Sequence, residues 1–324
     1  MNLRDFMPAL RYGAKITAQD IAGMLGLPFV GNIYYIDPTN GADTYDGTDP
    51  KSARKTLAGG YALLADNSHD CLVIVPGGVG TGTGTVETVA TTWAKNLTHL
   101  VGNVVSGAYG SRARVTTATT SLTPMLIVSG TGNSFHNIQF QATAATNLVA
   151  VKVTGSRNRF DNCQLGIQND TAGDSASAVD LWLVGASENE FNGCVIGYDS
   201  FTKTGANSII LAETASARNV FNNCIFPMFV DADAPRFLTL GVSAIDRTMI
   251  FNGCKFLNSI YCGSTNLTDA IAINANPGGG VILHDCMLIG ATGWADTLTN
   301  VYVLGFSTNA TILTNYSKAV NPAA

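Results

Sequence analysis

Charge is scarce in this 324-residue sequence: Asp, Glu, Lys and Arg together make up 13% of it, about half the roughly 25% usual in soluble domains. The basic residues are scattered and the net charge is −5. That leaves no basic stripe, and nucleic acid is not expected as a partner. No run of about 18 apolar residues occurs, so no helical membrane span and no membrane partner are expected. Met1-Asn2-Leu3-Arg4-Asp5 lacks the charged-then-apolar pattern of a secretory leader, which suggests a chain made and folded in a reducing cytoplasm. Chemical motifs are equally thin. There is no Cys-x-x-Cys for zinc and no Gly-x-Ser-x-Gly for a nucleophilic serine. The glycine-rich stretch at Thr81–Thr85 is not followed by Gly-Lys-Ser/Thr, so it is no phosphate loop. No metal and no cofactor are expected. With so little charge, the surface must be covered by Thr, Ser, Asn, Gly and Ala, or be buried against partners.

What the sequence does contain is a repeat. Phe191-Asn192-Gly193-Cys194 returns as Phe251-Asn252-Gly253-Cys254, with Phe221-Asn222-Asn223-Cys224 midway. Phe160-Asp161-Asn162-Cys163 precedes them, Leu283-His284-Asp285-Cys286 follows, and Phe135-His136-Asn137-Ile138 fits the same frame. The aligned positions 138, 163, 194, 224, 254 and 286 are separated by 25, 31, 30, 30 and 32 residues. Such a period is the signature of a stacked-repeat architecture. The cysteine and the residue two beyond it (Leu165, Ile196, Phe226, Phe256, Leu288) alternate with other residues at the strand period of 2. The two residues before the cysteine are Asn, Asp, Gly or His, which suit a tight bend with positive φ.

A second strand is predicted ahead of each bend, for example at Leu181-Trp182-Leu183-Val184 and Phe237-Leu238-Thr239-Leu240. One such unit cannot bury its apolar face alone, whereas stacked copies can. Helical repeats would need 3.6-residue periodicity, which is absent. The fold class predicted is therefore all-β, a right-handed parallel β-helix (a solenoid) with a short N-terminal helix-bearing extension. Phe160, Cys163, Phe191, Cys194, Phe221, Cys224, Phe251 and Cys254 form its structural ladder, phenylalanine on phenylalanine and cysteine on cysteine. The stacked thiols point in parallel, a poor arrangement for the ~90° torsion of a disulfide, and free thiols are expected.

The expected organisation has four parts. Residues 1–30 form an anchor or cap, 31–110 a lead-in module with a short helix, 111–305 the coils and 306–324 a polar tail. In the first part Thr17 reads as an N-cap with Asp20 in the first turn, and Ile16 and Ile21 as a hydrophobic staple. Apolar Ile16, Ile21, Met24 and Leu25 need covering, either by the open end of the β-helix or by a docking partner.

The stretch YIDPTNGADTYDGTDPKSARKTLAGGYALL, read with the repeat, resembles the lead-in module of the pectate-lyase-like β-helix superfamily. There a first strand, an Asp-Pro-x-Asn-Gly-x-Asp turn and a short helix run into the coils. The resemblance covers about residues 31–80 by motif and 125–305 by repeat. It implies the fold more than the function, because that superfamily spans lyases, hydrolases, phage tailspikes and capsid decoration proteins.

Candidate chemistry lies in the variable loops. The best cluster of acids is Asp231, Asp233 and Asp246, with Arg236 and Arg247 beside them and Asp199 a further candidate. Glycosidases need two carboxylates about 5–9 Å apart, and a solvated polar loop is the alternative for these residues. Asp43, Asp46 and Asp49 lack EF-hand spacing and read as turn chemistry rather than as a Ca²⁺ site. Trp93, Trp182 and Trp294 are too dispersed to read as a sugar platform. The resemblance, the absent leader and the low charge lead us to expect a non-enzymatic virion protein. It would be a phage capsid decoration or cement protein, assembled in the host cytoplasm as a homotrimer and bound to the major capsid protein or another virion protein through the N-terminal segment. A tailspike-like protein that binds or cleaves bacterial polysaccharide is the alternative, with a surface adhesin third.

Overall fold

The structure, a computed structural model, describes residues 17–27, 30–75, 85–104, 113–117, 122–273, 277–296 and 300–304. Strands from successive coils pair in parallel to form three long sheets. Sheet A has ten strands among the described residues, from Ile33–Ile36 to Val301–Leu304, and sheets B and C have eight each. From Leu126–Val128 to Lys255–Asn258 each coil runs through a strand of sheet C, a turn, a strand of sheet A, a two-residue bend, a strand of sheet B and a longer loop back to sheet C. The result is the expected right-handed parallel β-helix, the hand that parallel crossover connections take.

The bend between sheets A and B explains the repeated tetrapeptide. Asn137, Asn162, Gly193, Asn223, Gly253 and Asp285 all have φ between 52° and 61°. That left-handed conformation is open to Gly, Asn and Asp but costly for most residues. On the outer side of the bend the preceding residues form a ladder. Asn192 donates to Asp161, Asn222 to Asn192 and Asn252 to Asn222, at 2.8–2.9 Å. A second, buried asparagine ladder marks the turn from sheet C to sheet A. The backbone N–H groups of Asn133, Asn158 and Asn189 donate to the side-chain carbonyls of Asn158, Asn189 and Asn219.

Inside the tube Phe135, Phe160, Phe191, Phe221 and Phe251 stack with centroids 4.6–4.8 Å apart. That is the spacing of the strands that carry them. The five ladder cysteines are buried and free. Each of their Sγ atoms also lies 3.2–3.3 Å from the carbonyl of the phenylalanine one coil back, as in Cys224 to Phe191. The cysteine is thus a small apolar filler that also supplies a weak donor to the corner.

At the N-terminus, Thr17 and Asp20 form a reciprocal capping box for the helix Ala18–Leu25, and Gly26 closes it in the left-handed region. Ile21, Ala22 and Leu25 pack on Tyr35, Val73 and Val101, which lie in register on the outer face of the first three strands of sheet A. This helix therefore covers a flank, not the open end. Ile21 and Leu25, expected as a partner-docking face, are used up within the chain. Ile16, and with it the staple, lies outside the described residues. The expected Asp-Pro turn and short helix are present. Asp37 accepts the backbone N–H groups of Thr39 and Asn40, and a short helix at Leu57–Tyr61 precedes the strand Cys71–Ile74. Asp43, Asp46 and Asp49 each accept backbone N–H groups nearby, which is turn chemistry.

Truncating Phe221 to Ala should cost roughly 3–5 kcal/mol through the cavity left in the phenylalanine stack. Urea unfolding measures it, and a loss under about 1 kcal/mol would contradict the packing just described. Thiol titration of the denatured, unreduced protein should find all seven cysteines free.

Candidate functional site on the outer face of sheet C

Sheet C carries on its outer face one residue per coil in each of two rows. In the first row Lys152 pairs with Trp182, then Leu211, then Thr239. In the second row Val149 pairs with Val179, then Ser208, then Arg236. Trp182, Leu211, Thr239, Val149, Val179 and Ser208 line a groove of ≈ 430 Å³, with the loop from sheet B to sheet C as one wall. The Lys152 ammonium lies 3.9 Å from the Trp182 ring centre, a cation–π contact. Trp182 Nε1 donates to Glu213 one coil on, at 2.9 Å. Trp93 and Trp294, by contrast, are buried in the core.

Beyond Ser208 the second row turns ionic. Asp269 stands opposite Arg236, two residues before the Leu238–Ile271 pair of the same ladder, and Gly293 lies opposite Asp269 on the next coil. A Cβ at Gly293 would come within 3.2 Å of Asp269 Oδ1, so the glycine leaves this carboxylate its space. Asp233, on the loop ahead of Arg236, reaches over the same place. Its carboxylate lies 3.3 Å from the Arg236 guanidinium and accepts the Thr268 backbone N–H at 2.8 Å and the Thr268 hydroxyl. Two carboxylates and one guanidinium thus converge at one end of the groove.

Their environments push the two acids apart. Partial burial raises the Asp269 carboxyl above the usual carboxylate range against the pull of Arg236, and Asp296 and Asp233 add to the rise. Burial also works upward on Asp233, but the hydrogen bonds from Thr268 and the charge of Arg236 outweigh it and hold Asp233 below that range. Two neighbouring carboxyl groups whose proton affinities are pushed in opposite directions are an arrangement suited to acid–base chemistry.

Of the acids singled out in the sequence, only Asp233 belongs to this cluster. Asp231 lies on the same loop but accepts from Thr204 at 2.9 Å. Asp246 pairs with Arg247 in the turn from sheet C to sheet A. The five-residue strand Arg236–Leu240 separates it from Asp233, roughly 17 Å at about 3.3 Å per residue. The three do not form one site. Asp199 accepts from Ser259. Asp269 was missed, although the repeat held the signal: Leu238 and Ile271 hold equivalent places in successive strands of sheet C, so the residues two before them, Arg236 and Asp269, must be neighbours. Among the described residues no three His, Cys, Asp or Glu side chains converge as a metal site.

No protein-family model matches the chain, and no curated protein does. Solved structures do. A pectin methylesterase from Aspergillus niger is similar over 85% of this chain and 85% of its own, with 15% identity and a TM-score of 0.57. A pectin methylesterase in complex with a hexasaccharide is similar over 82% of this chain and 92% of its own, with 15% identity and a TM-score of 0.52. The pectate lyase Pel9A is similar over 86% of this chain and 71% of its own, with 13% identity and a TM-score of 0.52. At such identities the likeness establishes the fold, a pectate-lyase-like parallel β-helix. It also corrects one expectation: the similar structures are polysaccharide-modifying enzymes, so the reading of this chain as non-enzymatic is withdrawn.

Proposed function

We propose that the chain acts on a polysaccharide laid along the outer face of sheet C. The observation that carries this reading is the cluster of Asp233, Arg236 and Asp269 at the end of the groove, with the two carboxyl groups driven to opposite protonation preferences. The groove supplies neutral hydrogen-bonding groups in Ser208 and Thr239 and an indole in Trp182, a lining suited to sugar rings. That a similar structure was solved with a hexasaccharide supports the same ligand class.

In this reading Asp269 holds the proton and gives it to the leaving oxygen. Asp233, ionised, activates water or attacks directly. Arg236 orients the reacting group and balances the negative charge that develops. The reaction class is hydrolysis of an ester or glycosidic bond. We propose further that the protein is carried on a phage particle as a trimer. The scarcity of charged residues, which leaves much neutral surface to cover, supports that part.

The test is to incubate the protein with a panel of pectins and bacterial capsular polysaccharides and to follow released alcohol or acid and new reducing ends. Asp269→Asn and Asp233→Asn should each lower turnover by about 10²–10⁴-fold, while Asp246→Asn and Asp231→Asn should leave it unchanged. Turnover indifferent to Asp233 and Asp269 would overturn the assignment. The rate should follow a bell on the acidic side. It should fall at low pH as Asp233 takes up a proton and at higher pH as Asp269 loses one, and the alkaline limb should vanish in Asp269→Asn.

A further inference from the structure

A second pair of charged groups stands outside the proposed site. Asp180 lies on the sheet C strand Val179–Val184, and Lys203 lies in the loop between Val195–Ile196 and Ser208–Glu213 one coil on. Their side chains are 0% and 3% exposed, and Lys203 Nζ is 3.3 Å from Asp180 Oδ2. Neither atom makes a hydrogen bond to anything else among the described residues. An ammonium carries three N–H donors, and leaving donors and a charge unpaired in the dry interior is costly. The backbone brings the groups together: Lys203 N–H is fixed to the Phe229 carbonyl at 2.8 Å, and Asp180 Oδ1 accepts the Ile167 N–H at 2.7 Å.

We propose that Lys203 and Asp180 condense to an intramolecular isopeptide bond in the folded protein. Passing one proton from nitrogen to oxygen converts the ion pair to a neutral amine facing a neutral acid. The nitrogen lone pair then forms a bond to Asp180 Cγ, and the negative charge that gathers on Oδ1 is met by the Ile167 N–H already pointing at it. The Cγ–Oδ2 bond breaks, Oδ2 leaves as water with the acid proton and one from the nitrogen, and a secondary amide remains. No oxidant or co-reactant is needed, and both charges disappear. Burial raises the Asp180 carboxyl against the pull of Lys203 and the Ile167 N–H, which favours the protonated, electrophilic form.

The crosslink would tie the loop that supplies Ala206 and Asn207 to the groove wall onto the strand of the preceding coil. It is independent of what the groove binds. Intact-mass spectrometry of the full, soluble chain decides it. The protein should be lighter than its sequence by one water, and protease digestion should yield a branched peptide joining the segments around positions 180 and 203. A cyclised aspartate elsewhere also loses water but leaves linear peptides, and that result would overturn the proposal. So would a wild-type mass equal to that of the sequence. Lys203→Arg, which retains the charge but cannot form this amide, should have its full sequence mass; a water loss that persists there would place the modification elsewhere.

Discussion

The parallel ladder between coils fixes which residue lies over which, and the rest of the molecule depends on that register. A shift of one residue would turn every inward side chain outward. It would break the phenylalanine stack, the carbonyl contacts of the cysteines and both asparagine ladders together. The bend between sheets A and B holds the register. Its two residues are constant in length over six coils, and its left-handed residue leaves a small choice of side chains. Once each coil turns at the same place, equivalent positions meet at strand spacing, and stacking of identical side chains follows.

The same register builds the candidate site. No local motif encodes Asp233, Arg236 and Asp269. The first two come from one coil and the third from the next, and the ladder alone makes them neighbours. The groove is built likewise, with Trp182, Leu211 and Thr239 contributed one per coil. A site of this kind lacks a compact sequence signature, and the absence of familiar motifs therefore says little about whether the chain has chemistry.

This sets what was legible in the sequence. The bends, the Phe and Cys ladders, the capping box at Thr17 and the turn at Asp37 were legible, because each depends on residues close in sequence or repeated at a fixed interval. Grouping Asp246 with Asp231 and Asp233 failed because nearness along the chain was read as nearness in space, when a strand of sheet C runs between them. Asp269 was reachable through the repeat but lies on the strand Leu267–Ile273, outside the variable loops in which the acids were expected. The helix Ala18–Leu25 was foreseen as an element. Its resting place on the flank of sheet A was not, because nothing in an amphipathic octet says which apolar surface it will meet.

The 25-residue step of the repeat and the 31-residue step after it differ chiefly in one loop. From Ser134–His136 onward the bend from sheet A to sheet B is two residues in each of six coils. The loop from sheet B to sheet C spans six residues in one coil (143–148) and eleven in the next two (168–178 and 197–207). Variation in length is thus concentrated along one edge of the solenoid, the edge that walls the groove. Whatever ligand the groove takes, its outline can be recut by lengthening or shortening these loops while the stacked framework beneath stays constant. Framework and groove outline are thereby carried by separate parts of each coil, free to diverge at different rates.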